Sequence, residues 1–152
     1  MAEQQQVCTF YLNGFFFGVD VKIVQEVNRF QSMTPVPMAP RVVSGLINLR
    51  GQIVTAIDLR RRLEMPDRDD SKAPMNVVIR DAETVHSLLV DEVGDVVSVD
   101  ESTWEAPPDT LEGRMRELIT GTHKLENQLL LLLDVKNLTQ LDGADAKLRD
   151  LG

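Results

Sequence analysis

The sequence predicts an all-β protein with a few short helices, built as two small barrels packed together. Short apolar segments recur roughly every 8 to 15 residues between Gly, Pro, Asn and Asp, which is typical of short strands joined by turns. The spacing of residues 44–58 returns at 120–134, which indicates an internal repeat. The run Leu129–Leu133 indicates a strand buried on both faces.

Two hairpins are predicted from turn chemistry. Residues 7–12 and 15–19 are apolar runs separated by Asn13-Gly14, the dipeptide that most favours a two-residue hairpin turn. Residues 76–79 and 85–90 form the second pair of strands and are joined through the polar segment 80–84.

Short helices and loops are predicted between the strands. Asp20 is suited to cap a helical turn, because apolar side chains recur every four residues at Val19, Ile23 and Val27. Residues 111–119 also have a helical pattern. The proline-containing segments 28–40 and 107–108 are expected to be loops. The best linker candidate is 64–74, which is charged and flanked by prolines.

The internal repeat divides the chain into two related units. Residues 44–58 and 120–134 match at a shift of 76 positions, and residues 24–27 have a counterpart at 93–96. Two copies of a unit of roughly 65 to 75 residues are too few for a solenoid. Each unit alone would bury little apolar surface, so we expect the two to pack on each other. The expected organisation is one domain, 1–152, with approximate sub-barrels 14–66 and 74–141.

Composition and charge exclude several classes of protein. The 152 residues are 43% hydrophobic and 26% charged, and no apolar run approaches the roughly 20 residues of a membrane helix. Residues 1–80 carry 10 basic and 8 acidic side chains, whereas residues 81–152 carry 6 and 16, and the net charge is −8. Such a field repels nucleic acid and anionic lipid. We expect a cytoplasmic protein without membrane insertion, in which Arg60–Arg62 form a solvated face.

Catalytic and metal-binding groups are sparse. His86 and His123 lie in different units without ligands at metal-binding spacing, and Cys8 lies in an apolar strand. Asp91-Glu92 are adjacent in a predicted strand, so their carboxylates point to opposite faces. The sequence therefore predicts no enzyme, no cofactor and no metal site. An enzyme and a small ligand-binding β-barrel sensor remain as alternatives.

The turn motif Asn48-Leu49-Arg50-Gly51 is the clearest candidate for a binding function. Gly51 can adopt a positive φ, so the chain can reverse there and project Arg50 between two rigid strands. An arginine in that position is suited to bidentate contact with a carboxylate or a carbonyl of a partner. The alternative is a structural arginine that caps a carbonyl or solvates the turn. The second unit carries Leu125–Gln128 here, with the charge reversed and the glycine lost.

The combination of these motifs resembles the CheW family over roughly residues 7–141. The similar positions and segments are Gly18–Asp20, Val24–Val27, Pro40, Gly45–Val54, Ile57–Leu59, Val90–Val96, Thr120-Gly121 and Leu130–Asp134. The resemblance implies two five-stranded SH3-like β-barrels packed together. It also implies a stand-alone, non-enzymatic adaptor between chemoreceptors and a CheA-type histidine kinase in bacterial chemosensory signalling.

The resemblance also implies where the partners bind. The cytoplasmic tip of a methyl-accepting chemoreceptor is expected near Glu26 and Arg50, in a groove that is also lined by Val24, Val93 and Val96. The regulatory domain of the kinase is a relative of this fold, and the weaker candidates for contacting it are Asn76 and Val78. The resemblance further implies a location in receptor arrays at the inner face of the membrane. Ser87 departs from the pattern, because relatives often carry glycine there.

Overall fold

The computed structural model describes residues 4–69 and 71–141, which form two β-sheets and three short helices. The strands are β1 (Gln5–Leu12), β2 (Phe15–Asp20), β3 (Val24–Arg29), β4 (Val43–Leu49), β5 (Gln52–Asp58), β6 (Met75–Asp81), β7 (Thr84–Val90), β8 (Glu92–Val99), β9 (Trp104–Glu105), β10 (Ile119–Lys124) and β11 (Leu129–Leu133). The α-helices are α1 (Leu59–Arg62), α2 (Gly113–Leu118) and α3 (Val135–Leu138), and 3₁₀ turns lie at Val21–Ile23 and Glu101–Thr103.

The strands form one six-stranded and one five-stranded sheet. Their orders are β8-β1-β2-β11-β10-β9 and β3-β6-β7-β5-β4. Neighbouring strands are antiparallel except β2–β11 and β5–β7, which are parallel. The all-β class is confirmed. Five strands were expected in each barrel, and the larger sheet has one more, the two-residue edge strand β9.

The internal repeat is present in the structure. The unit β4–β5–α1 returns as β10–β11–α3 at a shift of 76 residues. Each strand pair has a register shift at the same place, before Gly45 and before Gly121. The helices that follow, α1 and α3, are also capped in the same way. Asp58 Oδ1 accepts a hydrogen bond from Arg61 N–H, and Asp134 Oδ1 accepts one from Asn137 N–H, both at 3.3 Å.

The two repeats exchange their leading hairpins. The hairpin β1–β2 pairs with β8 and β11 of the second repeat, whereas β6–β7 pairs with β3 and β5 of the first. The five-stranded sheet therefore spans residues 24–90, and the six-stranded sheet uses 5–20 and 92–133. Neither sheet coincides with the expected sub-barrels 14–66 and 74–141, because the two parallel pairings attach each hairpin to the other repeat.

The two sheets pack against one shared hydrophobic core. Buried side chains from the six-stranded sheet, such as Phe10, Phe17 and Leu131, meet Ile57 and Leu88 from the five-stranded sheet. The prediction that the leucine run is buried on both faces is confirmed at its centre. Leu131 faces the shared core, and its neighbour Leu130 belongs to a second apolar cluster.

Several element boundaries differ from the predictions. Asp20 caps a turn as expected, but that turn ends at Ile23, and Val27 lies on β3 instead of a helix. The reason is tertiary, since β3 pairs with β6 along its length. The second hairpin has a two-residue turn, and α2 begins only at Gly113. Within the described residues, no helix is both long and apolar enough to span a membrane.

Candidate functional site

The turn between β4 and β5 holds Arg50 in a defined conformation. Arg50 and Gly51 have φ angles of 53° and 86°, so both central residues are left-handed, as hairpin turns of two residues require. Asn48 Oδ1 accepts a hydrogen bond from Gly51 N–H at 2.9 Å. Leu49 packs against a small apolar cluster that contains Ile47. The predicted positive φ of Gly51 is confirmed, and the turn projects Arg50 from a supported strand pair.

Arg50 forms an ion pair with Glu26 on β3. The distance from the Arg50 guanidinium to the nearer Glu26 carboxylate oxygen is 2.9 Å, and the two side chains are 81% and 14% exposed. An ion pair with so exposed an arginine contributes about 0–1 kcal/mol to stability. The pairing orients Arg50 while most of its guanidinium stays accessible, with N–H donors left for a partner.

The three valines of the predicted groove lie on two edge strands, one from each sheet. Val24 begins β3, and Val93 lies near the start of β8; both are partly buried against the shared core. Val96, further along β8, is 54% exposed. Val24 and Val93 thus pack against the shared core, and Val96 is the one exposed side chain of the three.

Asn76 and Val78, the weaker candidates for the kinase contact, are both buried in this structure. Val78 is fully buried in β6. Asn76 donates through Nδ2 to the carbonyl of Arg29 at 3.0 Å and accepts from Ser87 Oγ at 2.8 Å. These bonds satisfy the buried amide. They also give the departure at Ser87 a role, because glycine could not supply this hydroxyl.

An ionic cluster joins the beginning of α1, Arg68, and Asp91 between β7 and β8. Arg60 Nε donates to Asp91 at 2.9 Å, and Arg68 donates to Asp91 at 3.3 Å and to Asp58 at 3.2 Å. Burial acts to raise the pKa of Asp91. The hydrogen bonds from Arg60 and from the N–H of Asn13, with the charges of both arginines, outweigh it and lower that pKa below its ordinary value.

The arginine triplet is therefore structural, and the expectation of a solvated face is wrong. Arg61 lies 3.1 Å from Asp67, and Arg62 donates to backbone carbonyls at the end of α3, at 2.8 Å and 2.9 Å for the two shortest bonds.

Two surface clefts, of about 320 and 480 Å³, lie beside Arg68. Their lining residue Arg68 is already paired with carboxylates, which gives a ligand-binding sensor little support.

The histidines and the cysteine, which could bind a metal ion or react, occupy structural positions. Within residues 4–69 and 71–141, no group of three or more His, Cys, Asp or Glu side chains could hold a metal ion. His86 is buried in β7. His123 Nδ1 lies 2.9 Å from Thr103 Oγ1, and burial lowers its pKa against the opposing charge of Asp100. Burial, and then the charge of Asp20, raise the pKa of the Cys8 thiol, which disfavours the thiolate.

Trp104 is a surface residue that the sequence analysis missed. It lies on β9 and is 53% exposed. The available signal was the single tryptophan of the chain, placed in an acidic segment beside a proline-rich loop.

Comparison with known proteins gives one consistent family. The sequence profile described as the CheW-like domain matches residues 6–142. The chemotaxis protein CheW of Bacillus subtilis is 28% identical over 146 residues, covering 96% of this chain and 94% of that protein. The chemotaxis protein CheW of Treponema pallidum is 28% identical over 140 residues, covering 90% and 82%. The crystal structure of the scaffolding protein TtCheW from Thermoanaerobacter tengcongensis superposes with a TM-score of 0.82 at 28% identity, covering 93% and 96%.

Proposed function

Because the chain belongs to the CheW-like domain family, we propose that it couples the cytoplasmic tip of a methyl-accepting chemoreceptor to a CheA-type histidine kinase. It is a chemotaxis adaptor and not an enzyme, in keeping with relatives named as chemotaxis and scaffolding proteins. In this proposal the protein works in the cytoplasm, within receptor arrays at the inner face of the membrane. It acts only by binding its partners and holding them in position.

The single observation that carries the receptor half of the proposal is the Glu26–Arg50 pair. A planar guanidinium presented on a supported turn can bind a carboxylate or carbonyl of a helical tip through two N–H donors. Glu26 orients that group before the partner arrives, which lowers the entropy lost on binding. The exposed Val96 supplies apolar surface for the same contact.

The kinase half of the proposal rests on the family resemblance. The resemblance implies that the regulatory domain of the kinase is related to this fold, and we propose that the two domains contact each other barrel to barrel. Since Asn76 and Val78 are buried, we propose that this contact uses exposed side chains away from the β4–β5 turn. An interface that must exchange within an array suits micromolar affinity, about −8 kcal/mol.

The receptor contact is tested in reconstituted arrays of receptor, kinase and this protein. Arg50→Ala and Glu26→Ala should reduce kinase activation strongly, because loss of a charged anchor at an interface often costs about 2 kcal/mol or more. Arg50→Lys should rescue poorly, since lysine lacks the planar fork. Arg116→Ala, an exposed arginine on α2, is the matched control and should activate normally. Normal activation by Arg50→Ala, with unchanged melting, would place the receptor contact elsewhere.

The kinase contact is tested separately by calorimetry. Purified protein titrated with the regulatory domain of its cognate kinase should give saturable heat in the micromolar range. Arg50→Ala should bind that domain as the unmodified protein does, because the two contacts use different residues. Absence of heat at high micromolar concentration would contradict direct binding.

A further inference from the structure

Trp104 presents an indole ring at an unpaired sheet edge. Its strand, β9, ends the six-stranded sheet and pairs only with β10 among the described residues. The ring packs directly on Gly121, where an added Cβ would lie 2.8 Å from Trp104 Nε1. Just over half of Trp104 is nevertheless exposed. An aromatic side chain fixed on one face and open on the other is typical of anchors in protein interfaces.

The corresponding residue of the first repeat is less exposed than Trp104. Thr34 exchanges two backbone hydrogen bonds with Leu46, both at 2.8 Å, where the second repeat has the β9–β10 pairing. Met33 therefore corresponds to Trp104, and its Cβ lies over Gly45 at 3.0 Å from an added Cβ. Met33 packs against buried apolar residues and is only partly exposed. Trp104 is therefore more exposed than the corresponding residue of the first repeat, so its exposure is specific to the β9 edge.

The surroundings of Trp104 are uniformly acidic. Residues 81–113 contain ten carboxylates and no lysine or arginine. Glu101 and Glu105, which flank Trp104, are exposed, and neither forms an ion pair within residues 4–69 and 71–141. The charge at this edge is therefore left for a cationic partner to neutralise, and it repels acidic peptides and nucleic acid.

We propose that the β9 edge binds an arginine-bearing segment of a partner protein. The side chains of this edge carry the recognition, because Trp104 N–H already donates to the carbonyl of Glu101 and the carbonyl of Glu105 accepts from Thr122 Oγ1. An arginine of the segment stacks on the open face of Trp104 and donates to the carboxylates of Glu101 or Glu105. This surface is distinct from Glu26 and Arg50, so the proposal stands independently of the receptor contact.

Trp104 itself provides the readout, because it is the only tryptophan of the chain. The probe is a blocked pentapeptide, Arg-Val-Arg-Val-Arg, titrated into the full chain, with Glu-Val-Glu-Val-Glu as the comparison. Only the arginine peptide should shift the tryptophan emission, and its affinity should fall as salt is raised. The double variant Glu101→Lys/Glu105→Lys should weaken binding about tenfold or more. Glu83→Lys, a charge reversal in the β6–β7 turn, should change it by less than about twofold.

A second variant series keeps the test independent of emission. With a labelled arginine peptide and anisotropy detection, Trp104→Ala should lower affinity about tenfold or more, and Trp104→Phe should retain part of it. Thermal melts of each variant confirm that the chain is folded. Equal weakening by Glu83→Lys and by the double variant would overturn the proposal. So would a concentration-dependent dimer that Trp104→Ala abolishes, because a second copy would then occupy the edge.

Discussion

Glu26 and Arg50 join the two opposite edges of the five-stranded sheet. Glu26 lies on β3 and Arg50 follows β4, the first and last strands of that sheet, yet their charged groups are 2.9 Å apart. The sheet therefore curves until its edges approach each other, in the manner of a partly closed barrel. The ion pair spans the remaining gap at the surface, where a receptor is proposed to bind.

The first prediction separates the stability contributed by this pair from its function. A double-mutant cycle with Glu26→Ala and Arg50→Ala, measured by urea denaturation, should give a coupling free energy below about 1 kcal/mol. The reason is that Arg50 is largely exposed and the pair is screened by water. A coupling above about 2 kcal/mol would instead assign the pair a structural role in closing the sheet.

Turn chemistry was predictable because it depends on residues close in sequence, and the repeat because its spacing recurs directly in the sequence. Asn13-Gly14 and Gly51 adopt the positive φ angles that their residue types favour. The hairpin exchange was not predictable, since the parallel pairings depend on contacts between the two repeats. The ion pair of Arg60 and Asp91 joins residues 31 positions apart, and no local pattern indicates it. The burial of Asn76 was not predictable for a related reason, because its partners, the Ser87 hydroxyl and the Arg29 carbonyl, lie on neighbouring strands.

The second prediction concerns the shared core. Leu131→Ala should lower the free energy of unfolding by about 2–5 kcal/mol, through lost apolar burial and the cavity left behind. Leu131 is 3% exposed and contacts the core between the sheets. Leu132→Ala is the matched control; its side chain is only partly buried, so its cost should be smaller. Chemical denaturation measures both, and equal costs would contradict the packing described here.

The third prediction follows from the lowered pKa of Asp91. A carboxyl group whose pKa is lowered by folding stabilises the protein above its unfolded pKa, near 3.8, and loses that contribution as pH falls through the lower folded value. Asp91→Asn should therefore cost about 1–3 kcal/mol at pH 6, and the difference should shrink below about pH 4. Urea denaturation between pH 2.5 and pH 6, in steps of about half a unit, tests this.

Glu92→Gln is the control for the pH experiment. Glu92 is the next residue along the chain, and its side chain is 65% exposed, 3.8 Å from Lys72. Its substitution should change stability by less than about 0.5 kcal/mol at every pH. A difference between Asp91→Asn and the unmodified protein that stays constant with pH would show that its cost comes from packing and not from charge.

The last prediction tests whether the backbone of the turn, and not only its side chain, presents Arg50. Gly51→Ala should lower stability by about 1–2 kcal/mol, because a φ of 86° is unfavourable for alanine although its Cβ would meet nothing within 4 Å. Gly14→Ala is a close match, since Gly14 has a φ of 82° in the β1–β2 turn and equally open surroundings. Both variants should therefore lose similar stability in chemical denaturation. Only Gly51→Ala should also reduce kinase activation in reconstituted arrays, because relaxing its strain moves Arg50 away from Glu26. Equal activation by the two variants would mean that the guanidinium reaches its partner whatever the turn conformation.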